Sequence, residues 1–426
     1  MNLLRRQKAD TTQSVRDSVP VLAAVGLLVV ASAIPYTSYL PFGLAYGSVV
    51  LAYAVLVGTA LICTRETLLV APKWAVALIG TIWTIYLGHL FAAVATGSVT
   101  FDLFIRVPAF VLLTGINVFY VPRLVSRGAF FGILARVAAA LVLIGLPTLF
   151  VDSYTLGIVE VTSIRTETVP FLSIERPAPN SIFQNKNVMS YVAMVGFLSA
   201  CGERLETGQA TAALLVAING VGLYLAHARA SMLGAAAGLV LFVAYTSLSD
   251  RAAHAVAISG GLAFVYAVCV IVGVLPGPAV LTNVDMHGRA AIWQGGVRSV
   301  ATRPLFGFGP GDTGQIIAPF VTSPFAGYDP HNSYLRVFID TGIVGGCAYL
   351  VFVVKTLFAQ LTSVRDAYDL ATLALCSGVA ITMVFEGYTL FGISIMSLTG
   401  AIAFGYGVKA GASPVGDPSL EADDRT

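Results

Sequence analysis

The chain has 426 residues, of which 57% are hydrophobic and only 11% charged, with a net charge of +2 and a mean hydropathy of +0.84. Soluble domains carry about 25% charged residues, so no water-soluble fold of this size could hide so much apolar surface. The near-neutral charge gives no electrostatic footing for nucleic acid.

At the N-terminus, Arg5, Arg6 and Lys8 precede an apolar run at 19–30, and Ala31-Ser32-Ala33 has the form of a signal-peptidase site. The polar lead is long and many apolar segments follow, so this run is expected to stay as an uncleaved first anchor. A span needs roughly 20 apolar residues. Segments of that kind fall at 18–35, 41–64, 74–96, 103–121, 129–150, 187–202, 210–227, 230–248, 254–279, 333–358, 368–386 and 389–408. Ladders of alternating polarity are absent, and backbone groups in lipid must be satisfied within their own segment, so every span is expected to be helical. The fold class is therefore all-α, a polytopic membrane protein with about 12 transmembrane helices forming a single integral membrane domain over 1–426.

Orientation follows from Lys and Arg in the short connections. With the N-terminus inside, the inner connections hold Arg65, Lys73, Arg123, Arg127, Arg204, Arg251 and Arg365, whereas the short outer ones at 35–41, 96–102 and 385–391 hold neither residue. Both termini are then cytoplasmic, and the membrane is the inner one. Two outer connections, 151–186 and 275–332, are far longer than the rest, and loops of that length are usually functional or disordered. The tail at 411–426, with Glu421, Asp423 and Asp424, reads as a disordered cytoplasmic end. The five cysteines lie singly in or beside apolar runs and read as small apolar packers.

The polar chemistry gathers in the second long loop. It runs from Asp285 through His287 and Arg289 to Trp293, then Arg303 to Gly311, then Asp329-Pro-His-Asn-Ser-Tyr334. Arg289 and Trp293, four apart, share a face if that stretch is helical. Arg289 is then either free to hold an anion or a snorkelling residue beside a Trp belt anchor. Gly307, Gly309, Gly311 and Gly314 lack the Lys-Ser/Thr ending of a P-loop and read instead as a tight return of the chain onto the membrane. Asn332 stands where a helix cap is wanted, and His331 beside it has an unperturbed pKa of about 6.5, suited to proton transfer. Arg336 and Asp340 are expected to form an internal ion pair, with a site-facing Arg336 as the alternative. Arg229, in the hairpin Ala226-His-Ala-Arg-Ala230, is either a boundary snorkeller or a guanidinium aimed at a pyrophosphate. His89 reads as a satisfied helix-packing residue, His254 as a surface residue, and Glu386 as a capped carboxylate or an arginine's partner.

Several of these stretches together resemble the O-antigen ligase and O-antigen polymerase-like membrane proteins. They are Arg289 to Trp293, Pro304 to Gly309, and His331-Asn332-Ser-Tyr-Leu335 followed by Asp340-Thr-Gly342-Ile-Val-Gly345. Phe183-Gln-Asn-Lys-Asn187 and Ala228-Arg229-Ala-Ser-Met-Leu-Gly234 add weaker matches, and the resemblance covers about residues 180–346. It implies a GT-C-type glycosyltransferase architecture with large outer loops, working at the outer face without nucleotide sugar, metal or cofactor. Such enzymes move a glycan from a polyprenyl-diphosphate carrier to a hydroxyl on another glycan or on a lipid core. By position, Arg229 and Arg289 match the arginines that hold the diphosphate, and His331 matches the histidine at the reacting centre. Asn332, Arg303, Asn187, Arg336 and Trp293 are the further candidates for substrate contact. A transporter or flippase of lipid-linked saccharides is the rival class. It would place ionisable groups near the midplane and show related halves, and no related halves are visible.

Overall fold

A computed structural model of the protein describes residues 17–37, 39–63, 71–168, 175–284, 286, 288–322 and 324–410. Arg5, Arg6, Lys8, Arg65, Asp285, His287 and the tail from Gly411 lie outside them. Helix α1 (Val19–Ala31) ends in a 3-10 turn, Ile34–Tyr36, and is followed by α2 (Phe42–Cys63) and α3 (Lys73–Ala95). Helix α4 (Phe101–Gly115) runs through a π-helical turn, Ile116–Tyr120, into the short α5 (Val121–Leu124), and α6 (Arg127–Gly145) comes next. Strands β1 (Ser153–Leu156), β2 (Val159–Thr168) and β3 (Glu175–Ser181) precede α7 (Lys186–Thr207), α8 (Ala210–Ala226), α9 (Arg229–Ser247) and α10 (Asp250–Ile271). The second long loop carries α11 (Ala279–Thr282), α12 (Arg289–Thr302) and α13 (Thr313–Ile317), and the chain closes with α14 (Ser333–Leu361), α15 (Ala367–Phe385) and α16 (Ile395–Ala410).

The protein is an all-α polytopic membrane protein. Nine candidate spans among the described residues are long and apolar enough to cross a bilayer, and α8 and α16 are shorter apolar helices. Helix α7, at 22 residues, is the remaining helix expected from hydropathy. Its burial along most of its length explains the lower apolarity, since Ser190, Ser199 and Glu203 face protein rather than lipid. Two boundaries differ from expectation. Helix α10 begins at Asp250 and stops at Ile271, where Gly273 turns with φ +77° and Pro276 and Pro278 follow. Helix α16 begins only at Ile395, because residues 386–394 form a buried connection with Tyr388, Leu390 and Phe391 turned into the core.

The first long loop departs most from the sequence expectation, which contained no strand. It forms a three-stranded antiparallel sheet in the order β1-β2-β3, with Leu156 opposite Val159 across the hairpin. The sheet is fastened to the bundle: Ser181 Oγ donates to the Leu141 carbonyl (2.7 Å), and the Tyr154 hydroxyl donates to that of Ile144. The Gln184 amide donates to the Tyr36 carbonyl (3.0 Å), tying the entry of α7 to the exit of α1.

Helices α7, α9 and α15 form the centre of the bundle, where small residues let backbones approach. A Cβ on Gly234 of α9 would lie 2.8 Å from the Gly378 carbonyl oxygen of α15. Helix α1 packs through Val21, Val25 and Leu28, and the Ser32 carbonyl accepts a hydrogen bond from the Ile395 amide (2.7 Å). At one end of the bundle Arg127 pairs with Asp366 (3.4 Å) and with Asp369. Along the neighbouring faces Arg136 grips Glu203 with both guanidinium nitrogens (2.9 and 2.7 Å). His254 is half-buried at that same end rather than a free surface residue, with Nε2 2.8 Å from the Leu361 carbonyl oxygen. Of the cysteines, Cys376 is buried as expected, but Cys63 and Cys347 are exposed on the flanks of their helices.

The opposite end is organised by a break in α14. Gly342 adopts φ 66° and ψ −165° inside the helix, which frees backbone groups that must find other partners. The glycine-rich turn of the second loop supplies them. Phe308 and Gly309 amides donate to the Ile339 and Asp340 carbonyls (3.0 and 2.8 Å), and the Ile343 and Val344 amides donate to Pro304 and Leu305 (2.7 and 3.3 Å). The turn expected to return the chain onto the membrane thus returns it onto helix α14. His89 completes it, with Nε2 2.8 Å from the Phe306 carbonyl oxygen. A Cβ at Gly342 would lie 2.6 Å from the Phe306 nitrogen, and one at Gly307 would lie 2.6 Å from the Gly342 nitrogen. Gly342→Ala is therefore expected to cost roughly 1–3 kcal/mol of stability. Gly26→Ala, whose new methyl meets nothing within 4 Å, should be neutral. Thermal unfolding in detergent compares the two, and equal midpoints would mean that the break is not held as described.

Candidate functional site

Three connections meet at the end of the bundle that carries the two long loops: the entry to α7, the segment 329–333 before α14, and the short turn 386–388 after α15. Each is fixed locally. Asn185 caps α7 by accepting from the Asn187 amide (2.8 Å). Asn332 caps α14 by accepting from the Leu335 amide (2.9 Å), so the expected cap is present. Asp329 accepts the His331 amide on Oδ1 (2.9 Å), an Asx-type turn that holds His331 at φ 45°. A left-handed conformation costs a residue with a Cβ about 1–2 kcal/mol, and here the Asp329 turn and the Asn332 cap hold it from both sides.

The turn after α15 fastens the other two. The Asn187 amide group donates to Glu386 Oε1 (2.9 Å). Ser333 Oγ donates to the Glu386 carbonyl (2.7 Å) and also contacts that of Tyr388. Arg336 Nη1 donates to the Gly387 carbonyl (3.1 Å) and lies 3.7 Å from Asp329 Oδ2. Gly387 backs onto the 329–331 turn so closely that a Cβ there would lie 2.6 Å from Asp329 Oδ1.

Helix α12 brings the next residues. It starts at Arg289 after Gly288, which has φ 79°, and Trp293 one turn on is buried with Nε1 donating to the Pro330 carbonyl (2.7 Å). Trp293 is thus a strut between α12 and the residue before His331, not a belt anchor at the lipid surface. The Arg289 guanidinium, half-buried, is an electrostatic neighbour of both His331 and Glu386. Burial holds the His331 imidazole below its ordinary pKa; the Asp329 carboxylate pulls it back up and the Arg289 charge pushes it down. Burial raises the Glu386 carboxyl to about 7, against the Arg289 charge and the Asn187 hydrogen bond, with Asp329 adding to the rise.

The structure therefore brings Arg289, His331, Asn332, Arg336, Trp293 and Asn187 together. Arg229 begins α9 and is exposed; the preceding Ala228 amide donates to Ser190 Oγ (3.3 Å), one turn along α7 from Asn187. Among the described residues neither Arg229 nor Arg289 has a carboxylate within ion-pair distance. Arg303 lies at the far end of α12, roughly 20 Å along the axis from Arg289, with its guanidinium over the Phe308 ring (4.7 Å). It is not brought to His331. The expected Arg336–Asp340 ion pair is replaced by the Asp329 and Gly387 contacts of Arg336, while Asp340 accepts from the Tyr86 hydroxyl (3.3 Å). Among the described residues no group of three His, Cys, Asp or Glu could hold a metal ion.

Two residues gain importance that the sequence gave little reason to weigh. Asp329 carries a local signal, an Asp two before a His across a proline, the pattern of an Asx turn. Glu386 is the sole carboxylate in the connection 385–391, which is free of Lys and Arg, and its partner Asn187 lies far away in the chain.

Residues 212–350 match the family described as O-antigen ligase. That segment contains Arg229, Arg289, Trp293, Arg303, His331, Asn332 and Arg336, and leaves Asn187 and Glu386 outside. The chain is also 26% identical over 165 residues to the exopolysaccharide production protein ExoQ of Rhizobium meliloti, an alignment of 37% of this chain and 35% of that protein. The chain thus spans about a third of the length of the curated relative it matches. Residues 212–350 are thus similar to the O-antigen ligase family, and His331-Asn332, Gly342 and Gly345 lie within that segment.

Replacing Asn332 by Ala is expected to remove the α14 cap and cost about 1 kcal/mol, whereas Asn332→Asp should retain it. Calorimetric unfolding of both variants in detergent checks this; equal losses would place the role of Asn332 elsewhere.

Proposed function

We propose that the protein is a membrane glycosyltransferase of surface polysaccharide assembly, of O-antigen ligase or polymerase type. It transfers a glycan from a polyprenyl-diphosphate carrier to an acceptor hydroxyl on a glycan or lipid core. The observation that carries this reading is the juxtaposition of the Arg289 guanidinium with the half-buried, pKa-lowered His331 imidazole at one end of an apolar bundle. The family match over residues 212–350 and the similarity to an exopolysaccharide production protein support it.

The chemistry asks for little more. The bond from the sugar's anomeric carbon to the diphosphate oxygen breaks, and negative charge grows on the leaving group. Arg289, with no competing ion pair among the described residues, offers a bidentate fork to that charge, and the exposed Arg229 offers a second. Fixed guanidinium groups at a water-poor boundary supply the stabilisation that a divalent cation supplies elsewhere. The acceptor O–H bond breaks as its oxygen joins the anomeric carbon, and the proton passes to His331. An imidazole with a lowered pKa is neutral at pH 7 and able to take it.

We place this site on the periplasmic or outer side of the inner membrane, because the connections at the other end carry Arg123, Arg127, Arg204, Arg251 and Arg365. The carrier's hydrocarbon tail would lie among membrane lipids against the helix flanks, and the whole chain would act as one integral membrane domain.

Two variants test the roles. His331→Ala should lower transfer by about 10²–10⁴-fold with expression unchanged, measured with purified protein and lipid-linked glycan; near-normal turnover would remove His331 from the mechanism. Arg289→Lys keeps the charge but not the fork, and should cost roughly tenfold to a hundredfold in kcat/KM, the worth of one charge-assisted hydrogen bond. Full activity would reduce the role of Arg289 to simple charge. Detectable transfer by the purified wild type excludes a flippase.

A further inference from the structure

The Glu386 carboxylate is out of place in an anion site. It is an electrostatic neighbour of Arg289, the guanidinium that would grip a diphosphate, and nothing in the proposed transfer uses it. Its setting is built rather than incidental. One oxygen, Oε1, is held by the Asn187 amide (2.9 Å) from α7, while the residue's own carbonyl is held by Ser333 Oγ (2.7 Å) from α14. Oε2 has no hydrogen bond among the described residues, and the residue is only half-buried. The charged and titratable groups that face it are Arg289 from α12, Asp329 from the turn before α14, Tyr36 from the end of α1, and Tyr388 two residues on. The Arg336 guanidinium is close as well, on the carbonyl of the adjacent Gly387 (3.1 Å), but it is already engaged there and with Asp329 (3.7 Å).

We propose that Glu386 is a donor-binding residue that acts in its protonated form, with its Oε2–H donating a hydrogen bond to the carrier's diphosphate while Arg289 grips the same group. This rests on the diphosphate-transferase reading and adds a proton to it. An ionised Glu386 and a diphosphate both seek Arg289 and repel each other, so the two anions cannot share it at low cost. Protonation resolves the conflict, since a neutral carboxyl donates where a carboxylate only accepts. The step balances simply: one proton is taken from solvent when the donor binds and released when the diphosphate product leaves, and no bond to carbon changes at Glu386.

The sign follows from the direction of the shift. Enclosure raises the Glu386 carboxyl to about 7, so below that pH the carboxyl is already protonated and donor binding needs no uptake. Above it each pH unit makes the protonated form scarcer, and affinity should fall toward tenfold per unit. The His331 imidazole, which burial holds below its ordinary pKa, is present in both wild type and Glu386→Gln, so the difference between their profiles does not contain its titration.

The test is equilibrium binding of polyprenyl diphosphate to purified wild type, Glu386→Gln and Arg289→Ala across pH 6 to 9 in one detergent. Gln keeps the acceptor for Asn187 and has an N–H to donate, but cannot ionise. Wild-type affinity is expected to weaken by up to about tenfold per unit above pH 7 relative to Glu386→Gln, whose dependence reflects only the ligand's own titration. Parallel profiles for wild type and Glu386→Gln would overturn the proposal while leaving the diphosphate site standing. Glu386→Gln that binds normally but loses turnover would also overturn it, since the carboxylate would then be a base. Wild-type binding that Arg289→Ala leaves intact, or no wild-type binding, would overturn the diphosphate reading and this inference with it.

Discussion

The architecture at the functional end depends on one backbone exchange. Helix α14 cannot break inside a membrane protein without giving its freed amides and carbonyls new partners, and the turn at Pro304–Gly309 provides them on both sides of Gly342. That pairing pins the second long loop at its midpoint. The rest of the loop is then short enough to be placed by a few contacts, chiefly the Trp293 indole on Pro330 and the Asp329 turn on His331. Arg289 and His331 become electrostatic neighbours in a loop that is anchored at the break in α14.

The site itself is assembled by polar groups that leave few hydrogen-bonding needs unmet at a boundary where water is scarce. Asn187, Ser333 and Arg336 all spend hydrogen bonds on three consecutive residues, Glu386 to Tyr388. Such a fully engaged surround is what lets the remaining groups, Arg289, the His331 ring and the outer oxygen of Glu386, stay available for a ligand. The proposed chemistry thus divides the residues sharply. Asn187, Ser333 and Trp293 spend bonds on building the site, whereas Arg289 and the His331 ring would touch substrate.

Much of this was legible in the sequence, for identifiable reasons. Spans are fixed by hydropathy over windows longer than any packing detail, so the helices appear close to where they were expected. Caps are local, so Asn332 could be read as one. The sheet was not legible, because strands such as Glu175–Ser181, with two prolines in seven residues, show no alternation that distinguishes them from loop. The start of α16 was misplaced for a related reason: Tyr388, Leu390 and Phe391 are apolar because they are buried in a connection, and hydropathy cannot tell that from a span. Glu386 was weighed only as a cap or an arginine's partner, since its bond to Asn187 joins residues 199 apart. Arg303 stood as a further candidate for substrate contact because its distance from Arg289 depends on α12 being helical between them.

Helix α10 stands apart from all of this. Only 6% of its apolar window is buried, and its contacts include His254, near its start, against Leu361 and Phe264, past its middle, against Phe385 (ring centroids 6.4 Å apart). Most of its side chains therefore answer to acyl chains and not to neighbouring residues. Exchanging one apolar side chain for another on that surface should therefore leave the packing of α7 and α15 undisturbed. It is also the natural place to attach a label or crosslinker without disturbing the cleft.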